Sequence, residues 1–252
     1  MRIRNLITVA ALLGLCSCYQ LEVSAQAGYA QLALDGDLGY VGGSSNAEIR
    51  QDIESAFGLG DDQGSVYGRA SVDFGVPTLT ASGFLFEDEG QGILTADFGD
   101  NLVANTPVAS EFSMANAKVS YVFDISLGPV TISPGLAADF VDLSMEVRDT
   151  LGIVSEKVEL QAPIPLAFLR AGLDFGIVGA MVEGGYMQVD IDDVEAKMLD
   201  IEALVEVRPL DWLNVFVGYR SIEVQAEGLI DEDQADIDIG VSGWLIGGGI
   251  RF

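Results

Sequence analysis

The stretch Trp244-Leu245-Ile246-Gly247-Gly248-Gly249-Ile250-Arg251-Phe252 decides how the rest of the chain is read. At the two-residue period of a strand, Trp244, Ile246, Ile250 and Phe252 fall on one face, interrupted by Gly248. Gly247, Gly249 and Arg251 fall on the other, so one side is broad and apolar and the other narrow and mixed. Gly247-Gly248-Gly249 lacks the Lys and following helix of a phosphate loop, and within a strand pattern glycines permit bending or close packing.

The same alternation recurs upstream. Val66, Gly68, Ala70, Val72 and Phe74 oppose Tyr67, Arg69, Ser71 and Asp73; Ala117, Val119, Tyr121 and Phe123 oppose Lys118, Ser120 and Val122. Ala167, Leu169, Ala171, Leu173 and Phe175 oppose Phe168, Arg170, Gly172 and Asp174. Leu199, Ile201, Ala203, Val205 and Val207 oppose Asp200, Glu202, Leu204 and Glu206, and Leu213, Val215, Val217 and Tyr219 oppose Asn214, Phe216, Gly218 and Arg220. Each run has a greasy side and a wet side. The pattern suits either a soluble sandwich with apolar faces inward or a membrane barrel with apolar faces outward.

The final segment separates them, because it resembles the closing-strand signal of bacterial outer-membrane β-barrel proteins. In that family a terminal aromatic residue, with apolar residues two, four and more places before it, marks the last strand for insertion. The resemblance implies an all-β, transmembrane, antiparallel up-and-down barrel in the bacterial outer membrane. It also implies that Trp244, Ile246, Ile250 and Phe252 form the insertion signal met by the barrel-insertion machinery, with outer-membrane lipids around the apolar faces.

Four short turns, Phe74-Gly75-Val76-Pro77, Ser126-Leu127-Gly128-Pro129, Phe175-Gly176-Ile177 and Arg208-Pro209-Leu210-Asp211, carry Gly or Pro between alternating runs. Four inner turns join five hairpins, hence about ten strands; Ile93 to Phe98 reads as a hairpin arm or a separate strand, so eight and twelve are the bounds. Outer loops are expected near residues 36–63, 87–112, 147–162, 190–194 and 227–236. They hold Asp61, Asp62, Glu87, Asp88, Glu89, Asp231, Glu232 and Asp233, an acidic outward surface open to cations. Asp35-Gly36-Asp37 and Asp190-Ile191-Asp192-Asp193 lack the distal Glu of a twelve-residue Ca²⁺ loop and read as solvated tips.

At the other end, Arg2 and Arg4 precede the apolar run Leu6 to Leu15, the order of an export signal. Two cleavage motifs follow. Leu15-Cys16-Ser17-Cys18 is similar to a lipobox, which would cut after Ser17 and acylate Cys18, while Val23-Ser24-Ala25 and Ala25-Gln26-Ala27 suit an ordinary signal peptidase. The expected organisation is a leader over 1–25 and one barrel domain over 26–252. Beyond the leader the longest uncharged run is Ile125 to Ala138, 14 residues broken by Pro129 and Pro134, well short of a spanning helix.

Composition excludes much chemistry. With 12 Lys and Arg against 39 Asp and Glu, the net charge of −27 argues against nucleic acid as a partner. There is no histidine, which removes the commonest general base and metal ligand, and the only cysteines are Cys16 and Cys18. A Lys118–Ser120 dyad would be the remaining route to a nucleophile and is a poor one. No cofactor, no metal and no enzymatic activity are expected.

The wet faces nevertheless carry a charge set: Arg69, Asp73, Lys118, Asp139, Arg170, Asp174, Glu183, Glu202, Glu206, Arg208, Arg220 and Arg251. In a barrel this narrow the interior is barely wider than its side chains, so a plug of paired charges is favoured over a charged pore or substrate lumen. The expected role is structural or small-solute permeation. The alternatives are a surface-binding or adhesion protein using acidic loops, and a soluble exported ligand barrel that would hide Leu199, Ile201, Val205, Val215 and Val217 inside.

Overall fold

The computed structural model describes residues 21–41, 50–191, 194–230 and 233–252. Ten long strands follow in chain order: β1 (Glu22–Val41), β3 (Gln63–Asp73), β4 (Pro77–Ile93), β5 (Pro107–Phe123), β7 (Val130–Asp149), β8 (Ser155–Asp174), β9 (Val178–Ile191), β10 (Val194–Leu210), β11 (Leu213–Ile230) and β12 (Asp233–Arg251). Two short strands, β2 (Gln51–Asp52) and β6 (Ile125–Leu127), add to the edges of β1 and β7. Every neighbouring pair is antiparallel, and β12 returns to pair with β1 from Ser24↔Arg251 to Val41↔Gln234. The sheet therefore closes on itself in its lower half, the only way a sheet satisfies its backbone in lipid.

The inner turns fall where Gly and Pro place them. Phe74 N–H donates to the Pro77 carbonyl, with Gly75 at φ 94°, and Phe175 N–H donates to the Val178 carbonyl, with Gly176 at φ 82°. Both turns are anchored by an aspartate, Asp73 and Asp174, whose carboxylates accept the N–H groups of Gly75 and Gly176.

Parity assigns the faces. Leu169, Ile201, Val205, Val215 and Val217 point outward and are exposed, as are Trp244, Ile246, Ile250 and Phe252. A soluble ligand barrel would bury these residues, and the structure excludes that reading for this half of the wall. The belt is rimmed by Phe74, Phe123, Phe175 and Trp212 at the inner end and by Tyr29, Tyr186, Tyr219 and Trp244 above. Tyr219 and Trp244 meet edge to face at 5.4 Å. Eleven steps along β10 from Leu199 to Leu210, at ~3.3 Å each and a tilt of ~40°, give a height of about 28 Å, close to the apolar band of such barrels.

The strands do not stop at the belt, which corrects the outer loops expected at 36–63, 87–112, 147–162 and 227–236. β1 continues to Val41, β4 to Ile93, β7 to Asp149, and β5 and β8 begin at Pro107 and Ser155. Glu87, Asp88 and Glu89 thus lie on a strand, as do Asp35 and Asp37. Asp61 and Asp62 are exposed between β2 and β3, whereas Asp192, Asp193, Asp231 and Glu232 fall outside the described residues. The physical reason is an inversion of the wall. Above the belt Asp35, Glu87, Glu89, Glu111, Asp142, Glu159 and Glu223 face out, while Leu34, Phe86, Phe112, Leu143, Met145, Ile222 and Ile239 are buried inside. There the chain is a water-facing barrel with its own apolar core, so an alternating strand runs on past the bilayer without changing parity.

Two sectors of this upper wall lack a ladder: β8 pairs with β9 only from Ala167↔Tyr186 downward, although its pairing with β7 reaches Arg148↔Ser155, and the other gap lies between β3 and β4. β3 pairs with β4 only from Tyr67↔Phe84 downward, although β4 continues pairing with β5 to Ile93↔Pro107. Residues 50–62 fill the gap through one wide helical turn, Ile53–Phe57, whose Ile53, Ala56 and Phe57 are buried. The panel is held by side chains. Asp88 accepts the Gly60 N–H at 2.8 Å and the Gln63 amide at 2.8 Å, and the Gln51 carbonyl accepts the Thr95 and Ala96 N–H groups. Asp52 caps the turn by accepting the Ser55 N–H and hydroxyl, bonds that hold its carboxyl below the usual carboxylate range. Gly58 takes the left-handed conformation (φ 72°) that ends the turn, and Gly90 and Gly92 of β4 leave room for the turn's backbone.

Candidate functional site

Seven of the expected lumen charges meet in one layer at mid-height: Arg69, Lys118, Asp139, Arg170, Glu183, Glu202 and Arg220. Each sits at an inward position of a different strand from β3 to β11, so the barrel joins Arg69 to Glu202, 133 positions apart. Glu183 is the hub, accepting from Arg69 at 2.8 Å and Arg170 at 2.9 Å and forming an ion pair with Lys118 at 3.1 Å. Glu202 receives Arg69 at 2.5 Å and the Tyr67 hydroxyl at 2.9 Å.

Three members were not in the expected set. Asp200 lies 2.9 Å from Lys118 and 2.8 Å from Arg220; Asn116 accepts from Arg220 at 2.8 Å and donates to Asp139; Tyr67 donates to Glu202. The signal for Asp200 was present, since it shares the wet face of its run with Glu202 and Glu206. Nothing in local sequence marks Asn116 or Tyr67, because their partners are on distant strands.

With Asp200 included the layer balances, four cations (Arg69, Lys118, Arg170, Arg220) against four carboxylates (Asp139, Glu183, Asp200, Glu202). Buried charges persist when paired; seven of these eight groups are joined by ion pairs, while Asp139 accepts from the Asn116 amide. Aromatic faces complete the desolvation, with Phe84 5.2 Å from the Arg220 guanidinium and Phe168 5.5 Å from the Lys118 ammonium. Lys118, Asp200, Glu202 and Arg220 are each at most 2% exposed.

The other five residues, Asp73, Asp174, Glu206, Arg208 and Arg251, lie below this layer in a vestibule of about 330 Å³ that opens at the inner end. Arg208 bridges Asp174 at 2.7 Å and Glu206 at 2.5 Å, and Arg251 pairs with Glu22 at 2.7 Å. The expected single network is therefore two: a dry layer and a wet antechamber in which Glu22, Asp73, Asp174 and Glu206 outnumber Arg208 and Arg251. Above the dry layer the interior is apolar, and Phe57 and Phe98, stacked edge to face at 5.4 Å, fill the mouth.

The closing strand also shows why its glycines are needed. Gly247 and Gly28 face each other across β12 and β1, and a Cβ on either would stand 2.6 or 3.0 Å from the Phe216 ring, which lies over both. Gly248 faces lipid between Val215 and Ala27, so the gap in the insertion signal is a smooth spot in the belt. Cys18 lies outside the described residues.

A closed antiparallel barrel of ten long strands, apolar outside at mid-height and charge-neutralised within, has the architecture of a bacterial outer-membrane β-barrel. A solved structure shares the fold. The outer membrane protease OmpT of Escherichia coli superposes with a TM-score of 0.60 at 8% identity, over 94% of this chain and 99% of that one. Ail, the attachment invasion locus protein of Yersinia pestis, gives 0.41 at 13% identity over 92% and 99%, and the translocator domain of the Neisseria meningitidis autotransporter NalP gives 0.40 at 12% over 99% and 95%. No protein-family model and no curated protein matches the chain.

Proposed function

We propose that this protein is a sealed outer-membrane barrel that serves as a structural anchor for the acidic collar it raises above the bilayer, and that it is not a diffusion pore. The observation that carries this reading is the balanced charge layer, closed by buried side chains from eight strands and overlain by an apolar core. A hydrated solute crossing it would have to part ion pairs already desolvated, and then cross a region lined largely by apolar side chains.

The test is single-channel recording on the purified, refolded barrel in planar bilayers. The expected result is a silent membrane; regular conductance steps would return the permeation reading. The same reading assigns the outer surface to contact with cations or a basic polypeptide. Net charge and the outward carboxylates of β1, β4, β5, β7, β8 and β11 make such contact electrostatic and salt-sensitive. Retention of polylysine by barrel-containing liposomes, abolished by high salt, is the expected signature, and equal retention by empty liposomes would remove it. No reaction is assigned, since the chain offers no histidine to act as base.

A further inference from the structure

The barrel wall begins earlier than the second pair of cleavage motifs allows. β1 starts at Glu22, so Val23-Ser24-Ala25 and Ala25-Gln26-Ala27 lie within a strand of the closed ring. From its first residue this strand keeps the alternation of the spanning wall. Glu22, Ser24 and Gln26 line the vestibule, and Ala25 and Ala27 are exposed on the outer face.

These residues are paired on both sides. Glu22 to Ala25 are in register with Asp73 to Ala70 of β3, while Ser24 and Ala25 face Arg251 and Ile250 of β12. Val23 exchanges both backbone hydrogen bonds with Phe252, at 3.1 and 2.9 Å. The Ser24 and Ser71 hydroxyls lie 2.7 Å apart, and Glu22 forms an ion pair with Arg251 at 2.7 Å. A cut after Ala25 or Ala27 would take away the partner of the terminal Phe252. It would also leave Ser71 to Asp73 of β3 an open edge at the inner rim of the membrane, where unmet backbone groups are least tolerated.

We infer that the export signal is hydrolysed upstream of Glu22, so that the mature protein keeps the whole of β1. Water adds across a peptide bond, giving a new carboxylate on the leader and a new amine on the barrel chain. The bond in that stretch marked by its sequence is Ser17–Cys18. The inference rests on the fold alone and stands whether or not the barrel conducts.

The full-length precursor is expressed in a Gram-negative host, and the folded protein is recovered from its outer membrane for intact-mass measurement and peptide mapping of the first residues. A terminus that retains Glu22 and Val23 supports the inference, whether it is an acylated Cys18 or an unmodified residue between Cys18 and Glu22. A terminus at Gln26 or Gly28 overturns it.

A second variant guards against ambiguous mapping. In Ala25→Leu the small residue that signal peptidase requires is replaced at the last position of one motif and the third-last of the other, while the outward side chain is left facing lipid. Its mature mass is expected to differ from the natural chain's by the substitution alone, with no slower processing. Accumulated precursor would show that the downstream motifs are the ones used.

Discussion

Lys118 shows what a single buried charge does in this interior. Its ammonium contacts Glu183 and Asp200, and replacing it with Met would leave two carboxylates facing an apolar side chain. Removing one partner of a buried pair costs about 3–5 kcal/mol. Lys118→Met is expected to lower the unfolding free energy of the barrel in detergent micelles by that amount, read as a lower urea midpoint, and adding Asp200→Leu should recover part of the loss. Equal midpoints for Lys118→Met and the parent would show that the layer is hydrated rather than dry. Gly247→Val tests packing at the same scale. Its side chain would enter the space of the Phe216 ring, an overpacking worth about 1–3 kcal/mol, which Phe216→Leu should partly relieve.

Among the elements, the unpaired panel over residues 50–62 is the weakest part of the wall, since side chains rather than a ladder hold it to β4. Asp88→Ala should speed amide exchange from Ile53 to Gly60 while exchange along β11 and β12 stays unchanged; faster exchange throughout the barrel would point instead to global unfolding. The Asp52 cap adds a pH signature. Its carboxyl titrates below the ordinary range when folded, so its contribution is present at neutral pH and is lost as pH falls through the depressed value. Panel protection, relative to the intrinsic exchange rate at each pH, should therefore fall only in acid, and Asp52→Asn should flatten that dependence. For the closing strand, Phe252→Ala is expected to reduce the yield of outer-membrane protein without affecting export, as read by fractionation.

The molecule as a whole is two barrels end to end on one set of strands, lipid-facing below and water-facing above. The junction coincides with the upper aromatic ring of Tyr29, Tyr186, Tyr219 and Trp244. A closed ladder of this kind should resist detergent until heated, giving a folded band that migrates differently after boiling. A single band at one position regardless of heating would contradict closure between β1 and β12.

Much of this was legible in the residues. Alternation in the runs around Val66, Val119, Leu169, Val205 and Val217 set the faces, four Gly- and Pro-bearing turns set the strand number, and the Trp244–Phe252 stretch set the sense of the apolar side. These features are local, because a strand's two faces follow from a period of two and a tight turn from backbone conformations few residues adopt. What local sequence does not carry is how far a strand runs once its environment changes. Glu87 and Asp88 read as loop because an acidic pair looks like a tip, yet their parity is unbroken and only the surroundings of each face have switched. The balance of the charge layer was equally out of reach, since Asn116, Tyr67 and Asp200 matter through partners on other strands that closure alone brings within 3 Å. Sequence determined the class of fold and its orientation in lipid; the tertiary structure decided which inward charges meet, because closing ten strands into a narrow ring brings side chains from distant strands together across the axis.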